Sequence, residues 1–300
     1  MAKRPPGGGK DDGRSKKRGA PKRDSRSKRS GPPKRGQKPG PAKHRGPAKK
    51  RGAPPKARRP ERPRGPRPLV AIFAKAPIPG QVKTRLTPAL RPEEAADLYR
   101  ALLLDTIDVV ESTGARVVVA FTPANDRRHL ERLLGGRRRL LVQPPGDLGA
   151  RLESVLDRLR EGGGKRALVV GSDCPGLTPE RIREAWSALE SVPVVLGPAR
   201  DGGFYLLGLS RSEPGLLRGV PWSTEGVIEA TRERLRERRL EVRELAAERD
   251  LDTPEDLFEW FAVARQAGLE AIYPRTWKIL HSLMTPRRFA DLEARLLESH

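Results

Sequence analysis

The sequence predicts an α/β fold, a mostly parallel sheet flanked by helices, preceded by a basic tail that cannot fold by itself. Three observations predict it. Short aliphatic runs alternate with helical patterns from residue 69 onward. Those runs are apolar on both faces, as strands covered by helices on each side must be. Charge is also segregated: residues 1–68 hold 26 of the 61 Lys and Arg and only four acids, whereas the rest of the 300-residue chain holds 35 basic and 34 acidic side chains.

The tail has 14 Pro, 11 Gly and, after Met1, no Val, Ile, Leu, Phe, Tyr or Trp. With nothing apolar to bury, chain entropy dominates and disorder is expected. The basic residues precede no apolar run, so a signal peptide is not expected. No stretch approaches the ~18 apolar residues of a membrane span. A single cysteine, Cys174, excludes an intrachain disulfide framework and fits a reducing, cytoplasmic setting. Four scattered histidines beside it argue against a zinc site.

LVAIFA (69–74) is the first strand and runs into a Pro/Gly-rich loop. Residues 92–112 follow as a helix, with Leu98, Leu102, Ile107 and Val110 near helical spacing. ARVVVAF (115–121) is the second strand, and 125–134 a helix capped by Asn125. RLLVQ (139–143) and RALVVGS (166–172) are the third and fourth strands, with a helix at 149–161 between them. Thr178-Pro179-Glu180 opens a helix with a cap, a proline at the first position and an acid in the first turn. VPVVLG (192–197) is the fifth strand, and FYLLGL (204–209) follows across a tight turn as an antiparallel partner. A helix over 223–238, a strand at 240–245 and a helix opened by Thr253-Pro254-Glu255-Asp256 come next. Residues 269–300 read as a short helical appendage.

In such sheets ligands bind beyond the carboxyl ends of the strands. The first such loop offers Lys75, Lys83 and Arg85 around Gly80, stiffened by Pro77 and Pro79, which suits a phosphate. It has neither the G-x-G-x-x-G of a dinucleotide site nor a P-loop. After the third strand, Gly146, Asp147 and Gly149 offer close backbone approach to a base or ribose, or simply a strand-to-helix turn. Asp173 ends the fourth strand and is placed for Mg²⁺ or Mn²⁺ shared with phosphates, or for accepting backbone N–H groups. Cys174 beside it has no histidine neighbour in sequence and reads as a small core residue. Asp201 lies in an Asp-Gly-Gly turn, and Asp250 and Asp252 stand at the mouth of a capped helix, with Asp252 a second candidate metal ligand.

FAKAPIPGQVKTRL, GDLGARL, GSDCPGLT, LGPARDGGFYLLGL, PWSTEGV and DLDTPEDL occur in this order over roughly residues 69–265. In these motifs the chain resembles a bacterial family of glycosyltransferases, the radical-SAM/selenodomain-associated transferase 1 or arsenosugar-biosynthesis type. That family is similar to GT-A nucleotide-diphospho-sugar transferases, and to molybdenum-cofactor and phospholactate nucleotidyltransferases of the same fold. The resemblance implies a three-layer GT-A-like domain over 69–268. It implies phosphate binding by Lys75, Gly80, Lys83 and Arg85, and a nucleotide beside Gly146, Asp147 and Gly149. It implies a Mg²⁺ or Mn²⁺ ion on Asp173 and Asp252, a catalytic role for Asp173 and Asp201, and a substrate pocket at Gly202, Gly203, Trp222, Ser223 and Thr224. Asp173-Cys174-Pro175 departs from the D-x-D signature of GT-A enzymes by keeping one carboxylate.

The activity expected first is metal-dependent transfer of a sugar from a nucleotide-diphosphate sugar to a small acceptor. The alternative is nucleotidyl transfer from an NTP to a phosphorylated acceptor with release of pyrophosphate. A third reading is a non-catalytic adaptor whose tail binds RNA, ribosomes or anionic surfaces weakly and salt-dependently. The tail has no aromatic residue to stack on bases, and its other reading is an aid to solubility.

Overall fold

A computed structural model of the chain describes residues 67–298, apart from 137, 162–164 and 265–267. The tail expected to be disordered therefore lies outside the described residues, apart from Arg67 and Pro68. Strands β1 (Leu69–Ala74), β2 (Arg116–Phe121), β3 (Arg139–Val142), β4 (Ala167–Gly171), β5 (Val194–Pro198), β6 (Phe204–Leu209) and β7 (Val242–Glu244) form one sheet in the order β3-β2-β1-β4-β6-β5-β7. Only β6 runs antiparallel, pairing with β4 and with β5. The expected hairpin partner thus inserts between two parallel strands rather than extending an edge.

Alternation along the strands assigns each face. Val70, Ile72, Val119, Phe121, Leu168 and Val170 belong to one core. It takes in apolar residues of α1 (Pro92–Ser112), α4 (Pro179–Ala188), α6 (Pro254–Ala264) and α8 (Pro274–Leu283). Leu69, Ala71, Val118, Ala120, Ala167 and Val169 belong to the other, with residues of α3 (Leu148–Glu161) and α5 (Val227–Glu237). The period of two in the strands therefore divides one sheet between two helical layers. A short α2 (Arg127–Leu134), a single-turn α7 (Leu269–Ile272) and α9 (Pro286–Glu298) complete the helices of the described residues.

Most caps form as the sequence predicts. Thr178 accepts from Arg181 N at 3.3 Å and Asp147 from Ala150 N at 2.8 Å. Thr253 and Asp256 cap reciprocally, with Asp256 Oδ2 accepting from Thr253 N at 2.8 Å. Two starts differ. Asn125 falls in a 3-10 turn (Ala124–Asp126), and α2 begins after it without a side-chain cap. The helix expected from Ser223 begins at Val227, because Ser223 adopts φ 67° and Thr224 closes a turn onto Pro221 O.

The appendage packs on α1 around a buried polar anchor, and the ion pairs Arg275–Asp108 and Arg288–Glu94 also join it to that helix. Asp105 of α1 is fully buried and accepts from Thr276 N (2.7 Å), Thr276 Oγ1 (2.8 Å) and the Arg275 guanidinium (2.8 Å) of α8.

Candidate functional site

The sheet order decides where the loops meet. β2 lies on one side of β1 and β4 on the other, so the carboxyl ends of β3, β2, β1 and β4 stand in a row, with the switch in direction at β1. A cavity of about 490 Å³ opens over them, within the size range of small-molecule sites. Lys75, Lys83, Arg85, Asp173 and Asp252 all line it, together with Gln81, Tyr99, Thr122, Gln143, Leu148, Arg151 and Ser172.

Its centre is an ammonium held by carboxylates. Gly80 turns the first loop at φ 75°, and Lys83 adopts the left-handed conformation (φ 48°), which sends its side chain inward. Lys83 Nζ lies 2.9 Å from Asp173 Oδ2 and 3.4 Å from Asp252 Oδ1, with its side chain 3 % exposed. Burial alone would lower the lysine's pKa. Asp173 and then Asp252 outweigh it, and the ammonium is held above its ordinary value. Asp252 is brought there by backbone pairing, since Leu251 N donates to Asp173 O at 2.9 Å. Arg85, at the exposed rim, donates to Asp252 Oδ2 at 3.0 Å.

Tyr99 fixes the cavity wall. Its buried hydroxyl accepts from Lys75 N at 2.9 Å and lies 2.9 Å from Ser172 Oγ, tying the β1 loop to the β4 loop. From behind, the buried Tyr273 hydroxyl lies 2.9 Å from Leu177 O and 3.1 Å from Cys174 O, bracing the loop that carries Asp173. Nothing in the local sequence marks either tyrosine as a site residue, because each acts on a loop distant in sequence. Cys174 is buried and its thiol pKa is raised well above the ordinary value, chiefly by burial, so it is core rather than nucleophile.

Asp250 is the third acid of this group. Its Oδ1 is sealed from solvent and has no hydrogen-bond partner. Burial, with the charge of Asp173 next, pushes its carboxyl up to about 8 from 3.8, against the pull of Lys83. Between those values the folded state holds a proton that the unfolded chain has lost, so stability falls as pH rises. The contribution is full below about 4 and lost toward 8. Melting curves in metal-free buffer from pH 5 to 9 check this: Asp250→Asn flattens the decline relative to wild type, and parallel curves would contradict it.

A second cavity of about 150 Å³ adjoins the first, because Arg85 and Asp252 line both. It adds Arg200, Asp201, Arg249, Asp250, Thr253 and Asp256.

Several residues expected at the site line neither cavity. The Gly146, Asp147 and Gly149 segment contributes through its neighbours Leu148 and Arg151. Gly149 is needed for packing, since a Cβ there would lie 2.8 Å from Leu217 O and 2.9 Å from the Trp222 ring. Trp222 correspondingly packs on Gly149 and edge-on to Phe204. Gly202 and Gly203 shape the turn that carries Asp201: Asp201 Oδ1 accepts from Gly203 N at 3.0 Å, and Gly202 (φ 88°) abuts the Glu225 backbone. Ser223 and Thr224 are exposed in the turn before α5.

The seven-strand sheet order, with one antiparallel strand and helices on both faces, is that of a nucleotide-diphospho-sugar transferase-like fold. Comparison with known proteins agrees. The chain is similar to a Desulfovibrio desulfuricans G20 protein provisionally assigned as a nucleotide-diphospho-sugar transferase, at 28% identity and a TM-score of 0.65, over 72% of this chain and 97% of that one. A family described as "Uncharacterized protein conserved in bacteria (DUF2064)" matches residues 105–224. Among curated proteins, the phosphoenolpyruvate guanylyltransferase of Nocardia farcinica (strain IFM 10152) is 33% identical over 110 residues, or 35% of this chain. The chain spans about half the length of that relative, 48%. These relatives are transferases, one of nucleotidyl groups and one assigned to nucleotide sugars. Among the described residues, no helix is long and apolar enough to cross a membrane.

Proposed function

We propose that the chain is a nucleotidyltransferase that binds an NTP in the larger cavity and passes its nucleotidyl group to a small anionic acceptor entering from the second. The observation that carries this reading is Lys83, a buried cation whose ion-pair partners among the described residues are two aspartates, at the strand ends where ligands bind. In the second cavity Arg85 pairs with Asp252 and Arg249 with Asp256, whereas Arg200 has no ion pair among the described residues and is the cation that suits a phosphate or carboxylate there. The guanylyltransferase relative is consistent with it.

A divalent cation fits the residues present. Lys83 Nζ reaches both Asp173 and Asp252, so the two carboxylates converge on one cation position, and the orphaned Asp250 oxygen belongs to the same acidic group. No cluster of three or more His, Cys, Asp or Glu side chains is set for a metal among the described residues. Two carboxylates completed by phosphate oxygens and water are a common Mg²⁺ arrangement, and Mn²⁺ shares this oxygen-ligand preference. Asp173 and Asp252 would hold the ion, and when bound it would draw charge from the phosphates. Lys83, held by burial beside the aspartates, neutralises phosphate charge as the α–β bond breaks. Arg85 and Lys75 hold the leaving pyrophosphate at the rim. An acceptor oxygen attacks the α-phosphorus, the α–β P–O bond breaks, and its electron pair leaves on pyrophosphate. Tyr99 and Tyr273 keep the two loops in place throughout.

Glycosyl transfer is the second reading, favoured by the assignment of the Desulfovibrio protein. In it the sugar occupies the second cavity near Asp201. Pyrophosphate release from NTPs offered with small phosphorylated acceptors, run beside NDP release from nucleotide sugars, separates the two. Asp173→Asn is expected to keep the fold while weakening Mn²⁺-dependent nucleotide binding at least about tenfold, the loss of one charged interaction. Unchanged affinity would remove Asp173 from the site.

A further inference from the structure

We infer that Arg151 reads the nucleobase and selects bases that present two adjacent hydrogen-bond acceptors, guanine or cytosine, over adenine and uracil. The inference rests on the nucleotide reading of the larger cavity. That cavity spans the ends of four neighbouring strands, about 14 Å at ordinary strand spacing. Lys83, Asp173 and Asp252 mark the phosphate end, at β1 and β4. A nucleotide anchored there extends its base toward the ends of β2 and β3, where Thr122, Gln143, Leu148 and Arg151 form the lining.

Two of these side chains are held before any ligand arrives. Gln143 is 6 % exposed, and its Nε2 donates to Ala120 O at 2.8 Å. Its Oε1 therefore faces Arg151 and accepts from Nη1 at 3.4 Å. Arg151 Nε donates to Asp147 O at 3.2 Å. The guanidinium plane is thus fixed on two sides, and no carboxylate pairs with Arg151 among the described residues. The nearby Asp147 Oδ1 is occupied by the α3 cap. What remains toward the cavity is a planar cationic donor fork. Such a fork matches two neighbouring acceptors, O6 and N7 of guanine or O2 and N3 of cytosine. Adenine sets an amino donor beside N7, and uracil sets N3–H beside its carbonyls, so each turns a donor toward the fork.

Calorimetric titration of the full chain with GTP, CTP, ATP and UTP in Mn²⁺ tests this, and the GTP and CTP arms tell the two bases apart. GTP or CTP is expected to bind about tenfold or more tighter than ATP and UTP. Arg151→Met is expected to remove that preference, and Arg151→Lys, which keeps the charge without the fork, to leave it absent. Equal affinity for all four nucleotides, or an equal loss for all four in Arg151→Met, overturns the inference and makes Arg151 a phosphate contact; the nucleotide reading then stands. Absence of binding by any nucleotide overturns both.

Discussion

Replacing Lys83 with Met weakens nucleotide binding by about 10- to 150-fold, the value of a charge-assisted hydrogen bond at 1.5–3 kcal/mol. The expectation follows from what surrounds the ammonium. It is almost wholly buried, and its two partners each keep about a third of their side-chain surface exposed (35 %). The lysine is thus the fixed member, and the carboxylates can exchange it for another cation. Met keeps the packing of the aliphatic stem, and solvent screens the aspartates left behind. The melting temperature therefore moves far less than the affinity. Calorimetry with and without nucleotide separates the two effects; full nucleotide affinity in Lys83→Met would leave the first loop without its proposed role.

Asp105→Ala is the largest expected loss of stability, about 3 kcal/mol, near the cost of removing one partner from a buried charged pair. The carboxylate has no exposed surface and accepts from Thr276 N, Thr276 Oγ1 and Arg275. Thr276 is itself fully buried and would keep an unpaired N–H and hydroxyl. Arg275 would not, since it also pairs with Asp108 at 2.7 Å. For a domain of this size the melting temperature falls by about 6–12 °C. Tyr273 lies two residues before Arg275 on the same docked segment and braces Cys174 and Leu177. Loosening α8 is therefore expected to lower nucleotide affinity as well. Scanning calorimetry and hydrogen exchange of α8 check both parts; a melting temperature within about 2 °C of wild type would contradict the anchor.

Much of this was legible in the sequence because it rests on local pattern. Residue pattern marked all seven strands to within two residues at each end, and Thr178 and Thr253 marked helix starts by cap chemistry. Lys83, Arg85, Asp173 and Asp252 were legible as one group because loops at the carboxyl ends of neighbouring strands meet, and all four line the larger cavity. The glycines misled for a physical reason: Gly149 and Gly202 permit close approach, but to Leu217, Trp222 and Glu225 rather than to a ligand cavity. Tyr99, Gln143 and Tyr273 act across 24, 23 and 99 residues of sequence, through Lys75, Ala120 and Cys174. No local pattern marks such contacts. Nor did spacing reveal that β6 lies between β4 and β5, since a tight turn is equally compatible with an edge hairpin.

On the proposed reading, Lys83, Asp173 and Asp252 form a cation-assisted phosphate site. Titrating the full chain with GTP and with CTP, in Mn²⁺ and again in EDTA, tests it most directly. Saturable binding of at least one of them is expected in Mn²⁺, weakening about tenfold or more in EDTA. Equal binding in both buffers would separate the two aspartates from the nucleotide, and absence of binding in either would contradict the site itself.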